Sequence, residues 1–453
     1  MSDLDIVILA AGKGSRMKSA LPKVMHEIGG KPMINHVIDT ARKLSPREIF
    51  VIYGDSGEYV KNRLQAPDLT FIEQKEQLGT GHAVMMASPF LNSKKTLILY
   101  GDVPLINEKT LLQLIDSKSK LTILTADLND PRGYGRVLRD KSTTIKKIVE
   151  EKDATPAERL VKEINTGILV ADSKLLQTWL PKLKKSNAQK EYYLTDLIGL
   201  AIQDDCKIES ASPDTTTEIL GINTKLQLAK LERVFQKKLA SCLTDQGVTL
   251  ADPERLDIRG NITCGEDVFI DVNCIFEGEI ILKQGVKIGA NCIIRNSSIG
   301  EVTEILPFSF IDNVEIGKNC KVGPYARLRP ETILNDNVSV GNFVEVKKTN
   351  IGEGSKVNHL TYLGDADLGK KVNVGAGTIT CNYDGIKKHK TKIEDQSFIG
   401  SNSSLVAPLQ VKKGSVIGAG STITKDTKAG KLTLSRSNQK TIENWVNPSR
   451  DKK

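Results

Sequence analysis

Two groups of residues in this sequence could do chemistry. The first is Ala11-Gly12-Lys13-Gly14-Ser15-Arg16, which ends an apolar run from Asp5 to Ala10. The run has the length and β-branched character of a strand. Glycines after a strand leave backbone N–H groups bare for an anion, and Lys13 and Arg16 add full positive charge. The stretch is either a nucleotide-phosphate cradle at the mouth of an α/β sheet or a simple glycine turn. It fits neither the P-loop pattern nor G-x-G-x-x-G, because position 17 is Met. Asp102 follows a second strand-like run, Thr96–Leu99. A carboxylate there can hold Mg²⁺ through oxygen, or cap the turn before Pro104. The second group centres on His359 in Asn358-His359-Leu360-Thr361-Tyr362-Leu363-Gly364-Asp365. Histidine titrates near neutrality and is the usual side chain for taking a proton from an amine. On position alone it also fits a stacked surface histidine. Of the other four histidines, His36 and His82 lie in helical patterns and read as packed or exposed, His389 reads as solvated within a lysine run, and His26 shows no special pattern.

These groups need elements to position them. Up to about Asn223, strand-like runs (49–53, 69–73, 96–100, 121–126 and 167–171) alternate with helical patterns. Pro32 opens one helix and Thr80 can cap another. Such alternation predicts a mostly parallel sheet covered on both faces, with ligands beyond the carboxyl ends of its strands. From Thr224 to Cys242, Leu228, Leu231, Phe235, Leu239 and Cys242 step by three and four, which predicts one amphipathic helix. From about Val248, aliphatic–glycine pairs recur, many of them six apart, as at 316 and 322 or at 399, 405, 411, 417 and 423. This is the hexapeptide period of a β-helix. Arg327–Asp336 and Ile379–Lys392 break the period and are predicted to leave the coil as loops. Lys431–Lys453 reads as a basic tail. The organisation expected is therefore residues 1–225, a linker helix at 226–246, and residues 247–453.

The chain has 453 residues and a net charge of +9, with only 5% aromatic residues and dispersed lysines, so anionic small molecules account for the charge and nucleic acid is not expected. No apolar run reaches membrane-spanning length, and the first residues carry no basic leader. Seven scattered cysteines without a C-x-x-C pair suit reduced thiols in the cytoplasm.

Leu9-Ala10-Ala11-Gly12-Lys13-Gly14-Ser15-Arg16-Met17 with Leu21-Pro22-Lys23 resembles the signature of nucleotide-diphosphosugar pyrophosphorylases. Gln74–Thr80, Gly133–Arg136, Val149-Glu150, Ile164–Gly167 and Gly221–Asn223 follow in the same order. Together with the hexapeptide half, they make the chain, from about residue 5 to Arg436, similar to the bacterial family of bifunctional N-acetylglucosamine-1-phosphate uridyltransferases and glucosamine-1-phosphate N-acetyltransferases. The resemblance implies a Rossmann-like nucleotidyltransferase domain and a left-handed parallel β-helix. It implies that Leu9, Ala10 and Gly12 line the nucleotide, Lys23 contacts its phosphates, and Gln74, Gly79 and Thr80 read uracil. Tyr100 and Gly101 join this site, Gly135, Glu150 and Asn165 hold the sugar, and Asp102 and Asn223 bind Mg²⁺. Arg16 is added on charge grounds, to stabilise departing pyrophosphate. In the second half it implies His359 as the base. Arg329, Lys347, Tyr362 and Asn373 are then sugar-phosphate ligands, and Ala376, Asn382, Tyr383, Ser401, Ala419 and Arg436 acetyl-CoA contacts. UTP, glucosamine 1-phosphate, N-acetylglucosamine 1-phosphate and acetyl-CoA are the implied substrates, and a homotrimer the implied assembly. Ser15 stands where many members have Thr, and either offers a hydroxyl. The alternative is a pyrophosphorylase whose β-helix only assembles or regulates.

Overall fold

The computed structural model describes residues 3–12, 14–54, 57–64 and 66–446. Lys13 and the last seven residues of the expected tail therefore lie outside the described residues. Two compact units divide between Phe235 and Gln236.

The first unit is built on a nine-stranded sheet. Its strands are β1 (Leu4–Leu9), β2 (Glu48–Tyr53), β3 (Leu69–Glu73), β4 (Lys95–Tyr100), β5 (Leu121–Asp127), β6 (Gly135–Arg139), β7 (Ile145–Val149), β8 (Glu163–Asp172) and β9 (Ile208–Ala211). The order along the sheet is β9-β5-β8-β4-β1-β2-β3, and the β6–β7 hairpin hangs on β8. β1 is parallel to both β2 and β4, whereas β8 is antiparallel to β4 and β5. β1 is buried along its whole length. Leu4, Ile6 and Ile8 enter the core on one face, Val7 and Leu9 that on the other, as a strand covered on both sides requires. The chain leaves β1 to one side and returns to the other as β4. The crevice at the ends of these two strands is thus the topological switch point.

α1 (Met33–Lys43) starts after Pro32 as expected. α2 (Thr80–Ala87) does not use Thr80 as its cap. Gly79 takes that position with φ of 110°, where a Cβ would come within 2.6 Å of the Tyr192 carbonyl. The Thr80 hydroxyl instead accepts from the Leu194 N–H at 3.2 Å. α3 (Lys225–Asp245) is the amphipathic helix, and the division between units falls inside it rather than at either end. Leu228, Leu231 and Phe235 pack with Met17 and Met33 in the first unit, and Leu239, Ala240 and Leu243 pack in the second.

The second unit is a parallel β-helix of short strands. Val322, Val340, Val357 and Val374 face inward in successive coils, seventeen or eighteen residues apart. Arg327–Asp336 is not a loop. Arg327–Leu328 and Thr332–Leu334 are strands of a regular coil, in register with Glu345–Val346 and Asn350–Ile351. The sixfold interval persists there through Val322, Leu328, Leu334 and Val340, but the residue after each inner leucine is not small, which hid the repeat. The second expected loop is real but shorter: Ile379–Cys381 and Thr391–Ile393 are strands, and the chain leaves the coil between them. The coil from Val374 to its partner Ile399 therefore takes 25 residues. Gln236 receives the Ile258 N–H at 2.8 Å and donates to its carbonyl at 2.7 Å, satisfying the backbone of an early coil.

At one corner of the β-helix, Phe308, Tyr325, Phe343 and Leu360 occupy successive coils, all with positive φ and all about half exposed or more. The three rings stack at 5.0 and 5.5 Å between centroids. The next coils place Gly377, Asn402 and Gly420 there.

Candidate functional site

In the first unit, the end of β1 passes into Ala10 and Gly12. Gly14 has φ of 60°, and a Cβ there would lie 2.7 Å from the Lys23 Cβ. The end of β4 is tied to that of β1 by the Gly101 N–H, which donates to the Leu9 carbonyl at 2.9 Å. Asp102 then stands at the mouth of the crevice. The Ile222 N–H donates to its carbonyl at 3.0 Å and brings Gly221–Asn223 alongside. Lys23 donates to the Asp102 carboxylate, and to Asn223 Oδ1 at 2.7 Å. Arg16 donates to the same Asn223 oxygen at 2.7 Å. The two expected metal ligands thus converge on one positive group, the Lys23 ammonium.

Asp102 and Asn223 offer only oxygen, which suits a hard divalent cation. Among the described residues no cluster of three or more His, Cys, Asp or Glu could hold a metal. The remaining ligands of such a cation would be phosphate oxygens and water, the usual arrangement when a metal serves nucleotide chemistry.

A cavity of about 530 Å³ opens here, lined by Leu9, Ala10, Gly12 and Lys23 on one side and Gln74, Gly79, Thr80, Tyr100 and Asp102 on the other. Gln74 is 3% exposed and donates from Nε2 to the Gly79 carbonyl at 3.2 Å. The same nitrogen lies 2.9 Å from Nδ1 of His82. Tyr100 leans on Gly167, where a Cβ would come within 2.6 Å of its ring. Burial above all pushes the Tyr100 phenol upward, with the nearby Glu150 and Asp102 carboxylates adding to it. Glu150 is pushed up by burial and accepts from Thr195 Oγ1 at 3.0 Å. A Cβ on Gly135 would lie 3.3 Å from Glu150 Oε2, and Gly135 pairs in register with Asn165. The three expected sugar ligands are therefore gathered together. The sequence reading missed Tyr134, which bonds to the Gly221 backbone, and Thr195, which bonds to Glu150. It also read His82 as a packed or exposed helix residue. Its partner lies eight positions earlier on another element, outside any helical period.

In the second unit, register rather than sequence proximity makes the site. Asn342 pairs with His359, and the next coils place Ala376, Ser401 and Ala419 in the same column. Asn342 Oδ1 lies 3.3 Å from Nδ1 of His359. A carbonyl oxygen only accepts, so this contact puts a hydrogen on Nδ1, and in the neutral ring Nε2 keeps its lone pair. Thr361 fixes the backbone by donating to the His359 carbonyl at 2.7 Å. On the far side of His359 the column is small, a trough on which a thin chain can lie. Arg436 closes its end by donating to the Ala419 carbonyl at 2.9 Å.

The face that follows carries Arg329, Lys347 and Tyr362. Arg329 donates to Glu345 at 2.8 Å. Lys388 of the loop stands beside Lys347, and this neighbouring group holds the Lys347 ammonium below the usual lysine range. Two ammonium groups and a guanidinium in one patch invite an anion. Asn373 lies one coil beyond Lys356 on the preceding face. Asn382 is buried at the root of the loop and donates to Asp365 at 2.5 Å, whereas the adjacent Tyr383, bridged to Lys388, is exposed. His389 is not merely solvated: it pairs with Asp384 at 2.6 Å and closes the loop. Lys388 and Asn342 were not singled out from sequence. The first was visible only as part of a basic run, and the second needs the register.

Residues 6–163 match the MobA-like NTP transferase domain, 258–359 the GMPPB C-terminal domain, and 390–425 the hexapeptide repeat of succinyl-transferase. A nucleotidyltransferase followed by a hexapeptide-repeat acyltransferase is the class these features define. Relatives matched from end to end narrow it. The bifunctional protein GlmU of Janthinobacterium sp. (strain Marseille) is 55% identical over 453 residues, 99% of this chain and 100% of the relative. Those of Herminiimonas arsenicoxydans and Nitrosomonas eutropha are each 54% identical, and cover 99% and 100% of this chain and the whole of the relative. The chain belongs to the bifunctional GlmU family and is a two-reaction enzyme of UDP-N-acetylglucosamine synthesis. A β-helix that only assembles or regulates is not favoured.

Proposed function

We propose that the second unit acetylates glucosamine 1-phosphate with acetyl-CoA, and that the first couples the N-acetylglucosamine 1-phosphate formed to UTP. The observation that carries this reading is a pair of polar centres in separate units: oxygens that grip a cation beside a cavity in one, and an oriented imidazole beside a cationic patch in the other.

In the first reaction, Arg329, Lys347 and Lys388 hold the phosphate, with Tyr362 and Asn373 around the sugar. Nε2 of His359 takes a proton as the amine attacks the thioester carbonyl, and the thiolate of CoA leaves. Ala376, Ser401 and Ala419 seat the pantetheine arm, Arg436 meets a coenzyme phosphate, and Asn382 and Tyr383 border it. In the second, a sugar-phosphate oxygen attacks the α-phosphorus of UTP in line and pyrophosphate departs, with no covalent enzyme intermediate. Asp102 and Asn223 would hold Mg²⁺, which would supply positive charge against that of the phosphates. Lys23 then exchanges its grip on those oxygens for phosphate, and Arg16 faces the leaving pyrophosphate. Gly135, Glu150 and Asn165 hold the sugar. Gln74, Gly79 and Thr80 read the base, and Leu9, Ala10, Gly12, Tyr100 and Gly101 shape its bed.

A homotrimer fits the exposed stack Phe308–Tyr325–Phe343–Leu360, which runs into the His359 corner and gives a second copy an apolar face to cover. A cytoplasmic setting fits two cytosolic co-substrates and seven free thiols. No described helix is long and apolar enough to cross a membrane. An end-point assay with glucosamine 1-phosphate, acetyl-CoA, UTP and Mg²⁺, each omitted in turn, tests the whole. Free thiol should need only the first two, and pyrophosphate all four. Pyrophosphate formed without acetyl-CoA would defeat the proposed order of the reactions.

A further inference from the structure

We infer that His82 sets the base selectivity of the nucleotide site by fixing which end of the Gln74 amide is left for the ligand. This rests on the proposed reading of Gln74 as a residue that meets the base. The amide orientation is forced. The Gly79 carbonyl only accepts, so the 3.2 Å contact belongs to Nε2 and not to Oε1. The second contact of that nitrogen, 2.9 Å from His82 Nδ1, then uses its other hydrogen. Nδ1 must be the unprotonated nitrogen of a neutral ring. Burial keeps the imidazole below its ordinary range, against a smaller raising contribution from a bond to the Glu76 backbone.

The ring is itself held. It stacks on Tyr192 with centroids 6.1 Å apart, and Lys185 covers that tyrosine at 4.8 Å. The Tyr192 backbone is pinned to Leu78 and Gly81 by bonds of 2.8 Å. With both amide hydrogens spent inside the protein, Gln74 has only an acceptor, Oε1, to offer in the cavity. A pyrimidine bearing an N–H at position 3, as uracil does, completes it. Cytosine brings a lone pair to the same place and sets acceptor against acceptor. Without the His82 acceptor, one Nε2 hydrogen loses its partner and the amide is held at one point instead of two.

The test is kcat/KM for UTP and for CTP in nucleotidyl transfer by the full-length enzyme, with the emission of Trp179, buried in the first unit, as the control for folding. Gln74→Ala should remove most of the preference for UTP. His82→Leu should lower the UTP-to-CTP ratio roughly tenfold, the factor that an unpaired buried donor implies. His82→Asn, whose side-chain carbonyl can accept, should restore most of it, an outcome that lost packing alone does not produce. If His82→Leu shifts the Trp179 emission, His82→Phe, which keeps the stacking and lacks the acceptor, takes its place with the same expectation. A native ratio in the acceptor-less variant, alongside a lost ratio in Gln74→Ala, overturns the role of His82. A native ratio in Gln74→Ala overturns the reading of Gln74 first, and this inference with it.

Discussion

An amide and an imidazole meet in both units, and they exchange roles. In the first unit the His82 ring accepts a hydrogen from the Gln74 amide, and the amide is what remains for a ligand. In the second the His359 ring gives a hydrogen to the Asn342 amide, and the ring nitrogen is what remains. The settings differ as the roles do. Gln74 is buried, where each polar atom must find a partner, so two bonds fix it and a backbone carbonyl removes any ambiguity. His359 is exposed on a corner, where water can serve the free nitrogen until substrate arrives, and one bond suffices to choose the tautomer. On the proposed reading, recognition sits in the interior and proton transfer at the surface.

The largest effect should come from the exposed centre. His359→Ala should lower acetyl transfer by about 10²–10⁴-fold and leave uridyl transfer intact, measured as thiol and pyrophosphate release in the same preparation. Loss of both would mean that the two units do not act separately. Next, Asp102→Ala should lower metal-dependent uridyl transfer by roughly 100-fold or more while sparing acetylation. Mn²⁺ binding followed by electron paramagnetic resonance should weaken in parallel, and unchanged binding would remove Asp102 from the metal site. Asn342→Ala should cost less than loss of the base, roughly tenfold in acetylation and chiefly in kcat, as partners that orient a functional ring do. ¹⁵N shifts of His359 should then show hydrogen moving from Nδ1 to Nε2. An unmoved tautomer would break the parallel between the sites.

The smallest effect is on stability. Burial, as the first cause, lowers the titration of His26, His36 and His82, all in the first unit. The unfolded chain takes up protons near pH 6.5 that the folded unit refuses until lower pH, so the first unit loses stability as pH falls from that value. In the second unit, Asp252 and Glu394 are held low first by backbone hydrogen bonds, and their contribution fades only within the carboxylate range. Trp179, fully buried in the first unit, reports on it directly. Its emission should shift at a higher pH than the β-sheet signal is lost, and coincident transitions would show that the units unfold as one.

These differences also explain what the sequence disclosed. Period and alternation exposed the sheet, the helix and the hexapeptide coils, because each is a local rule of spacing. Arg327–Asp336 misled because Leu328 and Leu334 keep the interval but lack the small residue after them. Asp102, Asn223, Glu150 and Asn165 were named through the resemblance, and the fold brings Asp102 to Asn223 through Lys23 and sets Gly135 between Glu150 and Asn165. Asn342 and His359 are seventeen positions apart, not a multiple of six, so only the length of a coil brings them together. Gln74 and His82 join a strand end to a helix start, a relation that no single periodicity encodes.

The 25-residue coil from Val374 to Ile399 has one more consequence. Each turn of a β-helix rests only on the turns before and after it, so an excursion costs its neighbours little. The outer turn Asp384–Lys387 is therefore open to exchange, whereas Asn382, Tyr383 and Lys388 at its base are tied to the coil and to the patch beside it.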